Sequence, residues 1–100
     1  MKQLDKSSFE EFIKQDKVIV DFWATWCGPC MKQGQLLEAE AQNDAVFASK
    51  VAKVNVDDER DLAVSLGVSA IPTLIVFSKG EEVHRFVGLQ SIATLTAALE

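Results

Sequence analysis

Cysteine is scarce in this chain: Cys27 and Cys30 are the only two among 100 residues. A scaffold of several disulfides is excluded, so holding the fold together is not the expected task of this pair. Long apolar runs are also missing, and none approaches the ~18 residues that a membrane-spanning helix needs. The opening Met1-Lys2-Gln3-Leu4-Asp5-Lys6 has neither the apolar stretch nor the small-residue cleavage site of a secretory leader. A cytoplasmic location without membrane contact is expected. Positive charge is in deficit, 10 basic against 15 acidic residues for a net charge of −5, and it is not clustered. Phosphates find little to bind, which argues against nucleic acid as a ligand. Linkers, internal repeats and low-complexity tracts are absent.

What is there is an ordinary globular mixture, 48% apolar and 25% charged, long enough for one core and one domain over residues 1–100. Ser7-Ser8-Phe9-Glu10 reads as a Ser-x-x-Glu capping box opening a helix with Phe9, Phe12 and Ile13 on one face, ending near Gln15. Val18 to Ala24 is too continuously apolar for a strand with one wet face and too short for a helix, so it predicts a central strand buried on both sides. After a turn over Thr25 to Pro29, Cys30 to Gln42 is rich in helix formers, though interrupted by Gln33-Gly34-Gln35, and Asn43-Asp44 stops it. A second strand is expected at Val51 to Val56, within an apolar stretch opening at Val46. Asp58 is expected to cap a short helix through Leu62 and Leu66 that Gly67 closes. Thr73 to Phe77 and Glu82 to Val87 form a hairpin about Ser78-Lys79-Gly80-Glu81, and Ser91 opens a last helix bearing Ile92, Leu95 and Leu99. With a short first strand at Lys2 to Leu4, this predicts an α/β fold: parallel crossovers first, then an antiparallel hairpin in the same sheet.

The chemistry is concentrated in Trp26-Cys27-Gly28-Pro29-Cys30, between the buried strand and the next helix. There Cys27 lies near a helix N-terminus, where unpaired backbone N–H groups stabilise the reactive thiolate, so it is the expected nucleophile. Two intervening residues bring Cys30 within reach of it, so a mixed disulfide on Cys27 can be resolved internally, with Cys30 deeper in the protein. A zinc or iron–sulfur site is disfavoured because only His84 and carboxylates remain as ligands, and no metal is expected. A purely structural disulfide is disfavoured because so short a loop constrains the unfolded chain little. Asp21 stands inside Val-Ile-Val-Asp-Phe-Trp, where burial should raise its pKa; it is either a core aspartate satisfied by backbone donors or a functional acid. Trp23, on the same buried strand, is expected to pack in the core.

The run Val20-Asp21-Phe22-Trp23-Ala24-Thr25-Trp26-Cys27-Gly28-Pro29-Cys30 resembles the signature of the thioredoxin family. Ala52-Lys53-Val54-Asn55-Val56-Asp57, Gly67-Val68-Ser69-Ala70-Ile71-Pro72-Thr73 and Phe86-Val87-Gly88 resemble further landmarks of the family in its order and spacing. The resemblance covers essentially the whole chain. It implies the thioredoxin fold, a central mixed sheet of roughly four to five strands flanked by helices on both faces, with a C-terminal hairpin and helix. It also implies a general protein-disulfide reductant, monomeric, with no bound cofactor beyond the redox-active Cys27–Cys30 disulfide. The implied partners are disulfide-containing client proteins and an NADPH-dependent flavoprotein thioredoxin reductase.

By the same resemblance Asp21 is the buried acid that exchanges protons with Cys30. Lys53 matches the family's lysine beside that acid, set against an ordinary solvated strand lysine. Composition favours a trans Ile71-Pro72 bond, whereas the family counterpart is cis and packs beside the disulfide. Ile71 would then offer its backbone to a substrate peptide, and Trp26, Gly28, Pro29, Ala70, Pro72, Val87 and Gly88 would complete an apolar groove, Gly88 permitting close approach. His84 receives no role. Many family members carry a basic residue directly after the second cysteine and a helix-kinking proline further on; Met31 and Gln35 stand there, with Gly34 just before, so the helix bend and the choice of reductase are open to change. Gly28-Pro29 and Met31 add no charge to stabilise the Cys27 thiolate, which favours a reductant over an oxidant. A redox-inert binding subunit using the same groove is the alternative, and it would need neither cysteine.

Overall fold

The computed structural model describes residues 1–100. In chain order its elements are β1 (Lys2–Gln3), α1 (Lys6–Phe12), β2 (Val18–Trp23), α2 (Gly28–Asn43) and α3 (Ala45–Lys50). There follow β3 (Val51–Asn55), α4 (Arg60–Ser65), β4 (Thr73–Ser78), β5 (Glu81–Val87) and α5 (Ile92–Ala98). The five strands form one sheet in the order β1-β3-β2-β4-β5. β1, β3 and β2 run parallel, and β4 and β5 run antiparallel to their neighbours. This is the mixed sheet that the alternation of strands and helices followed by a hairpin predicts.

β2 lies in the middle because its run of apolar residues can be covered on both faces. Successive side chains alternate. Val18, Val20 and Phe22 join Phe9 and Phe12 of α1, Leu62 of α4, Ala52, Val54, Ile75 and Phe77 in one core cluster. Ile19 joins Leu37 of α2, Phe47 of α3, Leu95 of α5, Val51, Leu74 and Val76 in a second cluster on the opposite face. By the same alternation Asp21 and Trp23 lie on the Ile19 face, and Asp21 stands beside Lys53 in the β2–β3 register.

Several local expectations are corrected. The first helix is capped by Asp5, whose carboxylate accepts from the Ser8 N–H while the Ser8 hydroxyl accepts from the Asp5 N–H. Ser7 and Glu10 do not form the box, because the chain turns into the helix two residues earlier, directly after β1. That helix ends at Phe12 rather than near Gln15. The next helix begins at Gly28 and runs unbroken through Gln33-Gly34-Gln35. Ala45–Lys50 is the short helix α3, capped by Asp44, so β3 begins only at Val51. α4 starts after Glu59, with no side-chain cap from Asp58, although Gly67 closes it at φ 69° as expected. The hairpin turn has Lys79 and Gly80 at φ 54° and 89°, the two-residue geometry that follows the twist of its strands.

Candidate active site

The turn after β2 delivers Cys27 to the N-cap of α2, where its sulfur accepts the Cys30 N–H at 3.2 Å. Pro29 lies in the first turn of α2, where its missing N–H would have had no partner in any case. Cys27 and Cys30 are joined by a disulfide with their Cα atoms 5.2 Å apart. Cys27 keeps 7% exposure and Cys30 none, so Cys27 lies nearer the surface of the two. The Ile71–Pro72 bond is cis, and the Ile71 carbonyl oxygen lies 3.7 Å from the Cys27 sulfur.

Around the sulfurs the surface is open and apolar. Trp26 is 70% exposed, held at its rim by an Nε1–H bond of 2.8 Å to Asp57, and Val87 is 60% exposed. Gly28, Pro29 and Ala70 are also exposed, whereas Pro72 is buried. Gly88, at φ 94°, donates its N–H to the Pro72 carbonyl at 2.8 Å, tying the end of β5 to the Ile71–Pro72 turn. The largest cleft of the molecule, about 680 Å³ and lined by Lys2, Asp5, Ser8 and Phe12 among others, lies away from the disulfide. A flat apolar surface with exposed backbone suits an extended protein segment better than an enclosed small molecule.

On the sheet face that α2 covers lies a polar inclusion. Asp21 is fully buried and neither carboxylate oxygen has a hydrogen-bond partner, which removes the alternative of a core aspartate satisfied by backbone donors. Burial pushes its pKa up to about 7, and the positive charge of Lys53 offsets part of that rise. Lys53 is 9% exposed, so it is not a solvated strand lysine; its ammonium lies 4.3 Å from the centre of the Trp23 ring. A side-chain carbon on Gly34 of α2 would come within 3.0 Å of that ammonium. Trp23 is only half-buried, its Nε1–H reaches Gln3 and its ring lies against the Lys53 ammonium, so it does not pack in the core as expected. Trp23 is the last residue of β2, where burial falls from complete to partial. His84 lies on β5 against Phe86, away from the disulfide. No three His, Cys, Asp or Glu side chains converge as a metal site would require.

Two features escaped the sequence reading. Gln33 is fully buried, and its side-chain amide makes two hydrogen bonds to the backbone of Gln90. The spacing of Cys30, Gln33, Gly34 and Leu37 marks the inward stripe of a helix, and treating Gln33-Gly34 as an interruption hid that signal. The Trp26–Asp57 bond joins residues 31 apart in sequence and carried no local signal.

A disulfide between a helix N-cap and its first turn, the first cysteine nearer the surface and the second fully buried, marks a thiol–disulfide oxidoreductase. The family model for thioredoxin matches residues 1–100. A thioredoxin of Alicyclobacillus acidocaldarius is 43% identical over 99 residues, 96% of this chain and 91% of its own. One from Chlamydia caviae is 44% identical over 91 residues, 90% of this chain and 86% of its own. Among solved structures, a mutant thioredoxin of Halobacterium salinarum superposes with a TM-score of 0.83 at 34% identity, covering 99% of this chain and 88% of that one. The chain belongs to the thioredoxin family. Its activity is that of a protein-disulfide reductase, with disulfide-containing clients and a reductase as partners.

Proposed function

We propose that Cys27 attacks and Cys30 resolves, with Asp21 moving the proton between the two half-reactions. The Cys27 thiolate bonds to one sulfur of a client disulfide, and the client's other sulfur leaves as a thiolate. Asp21 then takes the Cys30 proton, and the Cys30 thiolate displaces the client from Cys27. The Cys27–Cys30 disulfide re-forms, the second client sulfur leaves and is protonated, and two electrons have passed to the client. The observation that carries this reading is the contrast in exposure, 7% for Cys27 against none for Cys30, on a helix that covers the sheet face holding an aspartate whose oxygens have no partner. A carboxyl titrating near 7 can both accept and return a proton at neutral pH. Lys53 moderates that pKa through its charge.

The groove of Trp26, Gly28, Pro29, Ala70, Ile71, Pro72, Val87 and Gly88 receives an extended client segment, chiefly through the Ile71 backbone, which makes recognition tolerant of client sequence. No bound cofactor or metal takes part; an NADPH-dependent flavoprotein reductase restores the dithiol, and the protein works as a cytoplasmic monomer. No helix is long and apolar enough to cross a membrane. The redox-inert binding alternative is not favoured, since both sulfurs are present and bonded.

The test is a trap. Cys30→Ser retains attack and loses resolution, so it should accumulate a mixed disulfide through Cys27, detectable by mass spectrometry after non-reducing digestion. Equal or faster trapping through Cys30 in the Cys27→Ser protein would reverse the two roles.

A further inference from the structure

We propose that Gln33 is a positioning residue for client binding: its two hydrogen bonds to the Gln90 backbone hold the Val87–Gln90 segment, one wall of the groove, against the disulfide-bearing end of α2. This rests on the groove reading given above. A fully buried side-chain amide is costly unless both of its ends are paired. Here both are: the Gln33 Oε1 accepts the Gln90 N–H at 2.7 Å, and Nε2 donates to the Gln90 carbonyl at 3.1 Å. Adjacent strands exchange the same two bonds, so Gln33 pairs with Gln90 as a strand residue would, from the surface of a helix.

The clamp ties that wall to α2. From Gly88 to Gln90 the chain belongs to no helix or strand, and its only backbone–backbone hydrogen bond runs from the Gly88 N–H to the Pro72 carbonyl. The Gln90 side chain adds a bond of 3.1 Å to the Gly88 carbonyl. The contacts close a ring: Cys30 and Gln33 lie one turn apart on α2, Gln33 holds Gln90, Gln90 braces Gly88, Gly88 holds Pro72, and Ile71 faces Cys27. Without Gln33, Gly88 keeps its bond to Pro72, but the chain between Gly88 and α5 loses its hydrogen bonds to α2. A client that lies across both Ile71 and Gly88 meets a loosened wall, whereas a small disulfide that touches only Cys27 meets an unchanged sulfur.

The experiment compares Gln33→Leu, Gln90→Ala and Val87→Glu with the parent protein, using dithiothreitol as electron source so that no reductase is involved. The KM and kcat for insulin are measured, together with the rate constant of the reduced protein for oxidised glutathione. Gln33→Leu removes both bonds and should raise the insulin KM about five-fold, with little change in kcat or in the glutathione rate. Gln90→Ala retains the clamp and loses only the brace on Gly88, so it should fold normally and move KM less, in the same direction. An unchanged KM in both variants, or a matching fall in the insulin and glutathione rates, overturns the positioning role. Val87→Glu separates the two readings: if it raises KM while Gln33→Leu does not, the groove stands and the clamp falls. If Val87→Glu leaves KM unchanged, the groove reading falls and the clamp's role falls with it.

Discussion

The two faces of the sheet are built from different chemistry. On the face covered by α1 and α4, the cluster from Leu4 to Phe77 is wholly apolar, with Phe9 set edge-on to Phe22 and Phe77 at ring separations of 6.3 and 5.4 Å. On the face covered by α2, α3 and α5, the apolar cluster shares its layer with Asp21, Lys53 and Gln33, all buried. Each apolar side chain fully buried contributes roughly 1.5–3 kcal/mol, while a buried carboxylate without hydrogen bonds costs stability. One face therefore supplies the stability that the other partly gives up, and the buried polar groups gather beneath the helix that carries the disulfide.

Mutations should separate the faces. The largest effect belongs to the chemical side: Cys27→Ser should reduce insulin turnover to background while far-ultraviolet circular dichroism stays native. On the apolar side, Phe9→Ala should cost about 3–5 kcal/mol in urea unfolding, with the remaining folded molecules reducing insulin at the parent rate. A clear loss of turnover per folded molecule would show that the faces are coupled.

Asp21→Asn should do the reverse, slowing disulfide exchange and stabilising the oxidised protein. A carboxyl raised from 3.8 to about 7 binds its proton more tightly in the folded state, so its ionisation costs no stability below pH 3.8 and progressively more up to about 7. The gain from Asp21→Asn should thus be small in acid, grow through that window and level off above it, at no more than about 4 kcal/mol. A gain independent of pH would mean that Asp21 does not titrate as a buried acid. The exchange rate of the variant should also lose the parent's inflection near neutral pH.

The smallest effect is expected at Asp5, on the surface of the apolar side. Its bonds to Ser8 hold its carboxyl below the usual range, so the stability it contributes is present above the unfolded pKa and is lost as pH falls through the folded one. Asp5→Ala should lower the Tm slightly at neutral pH, lose that difference in acid and leave turnover unchanged.

Local pattern was enough to read β2, α2, β4, the hairpin and α5, because burial on two faces, helix periodicity and turn residues each leave a signal within a few positions. Cys27 and Cys30 were legible for the same reason: the strand, the turn and the helix N-terminus that set their reactivity are contiguous in the chain. The helix α3 was hidden because Val46 and Phe47 read equally well as strand or helix, and Asp5 because the Ser7-Ser8-Phe9-Glu10 pattern overlaps the Asp5–Ser8 box that the chain uses. Only the tertiary structure decided the rest. It left the Asp21 oxygens without partners, laid Lys53 against Trp23 and Gly34, set Ile71 facing Cys27 and joined Gln33 to Gln90 across 57 residues. Such contacts follow from which segments the sheet brings side by side, and desolvation, which sets the pKa of Asp21, acts only once both faces are covered.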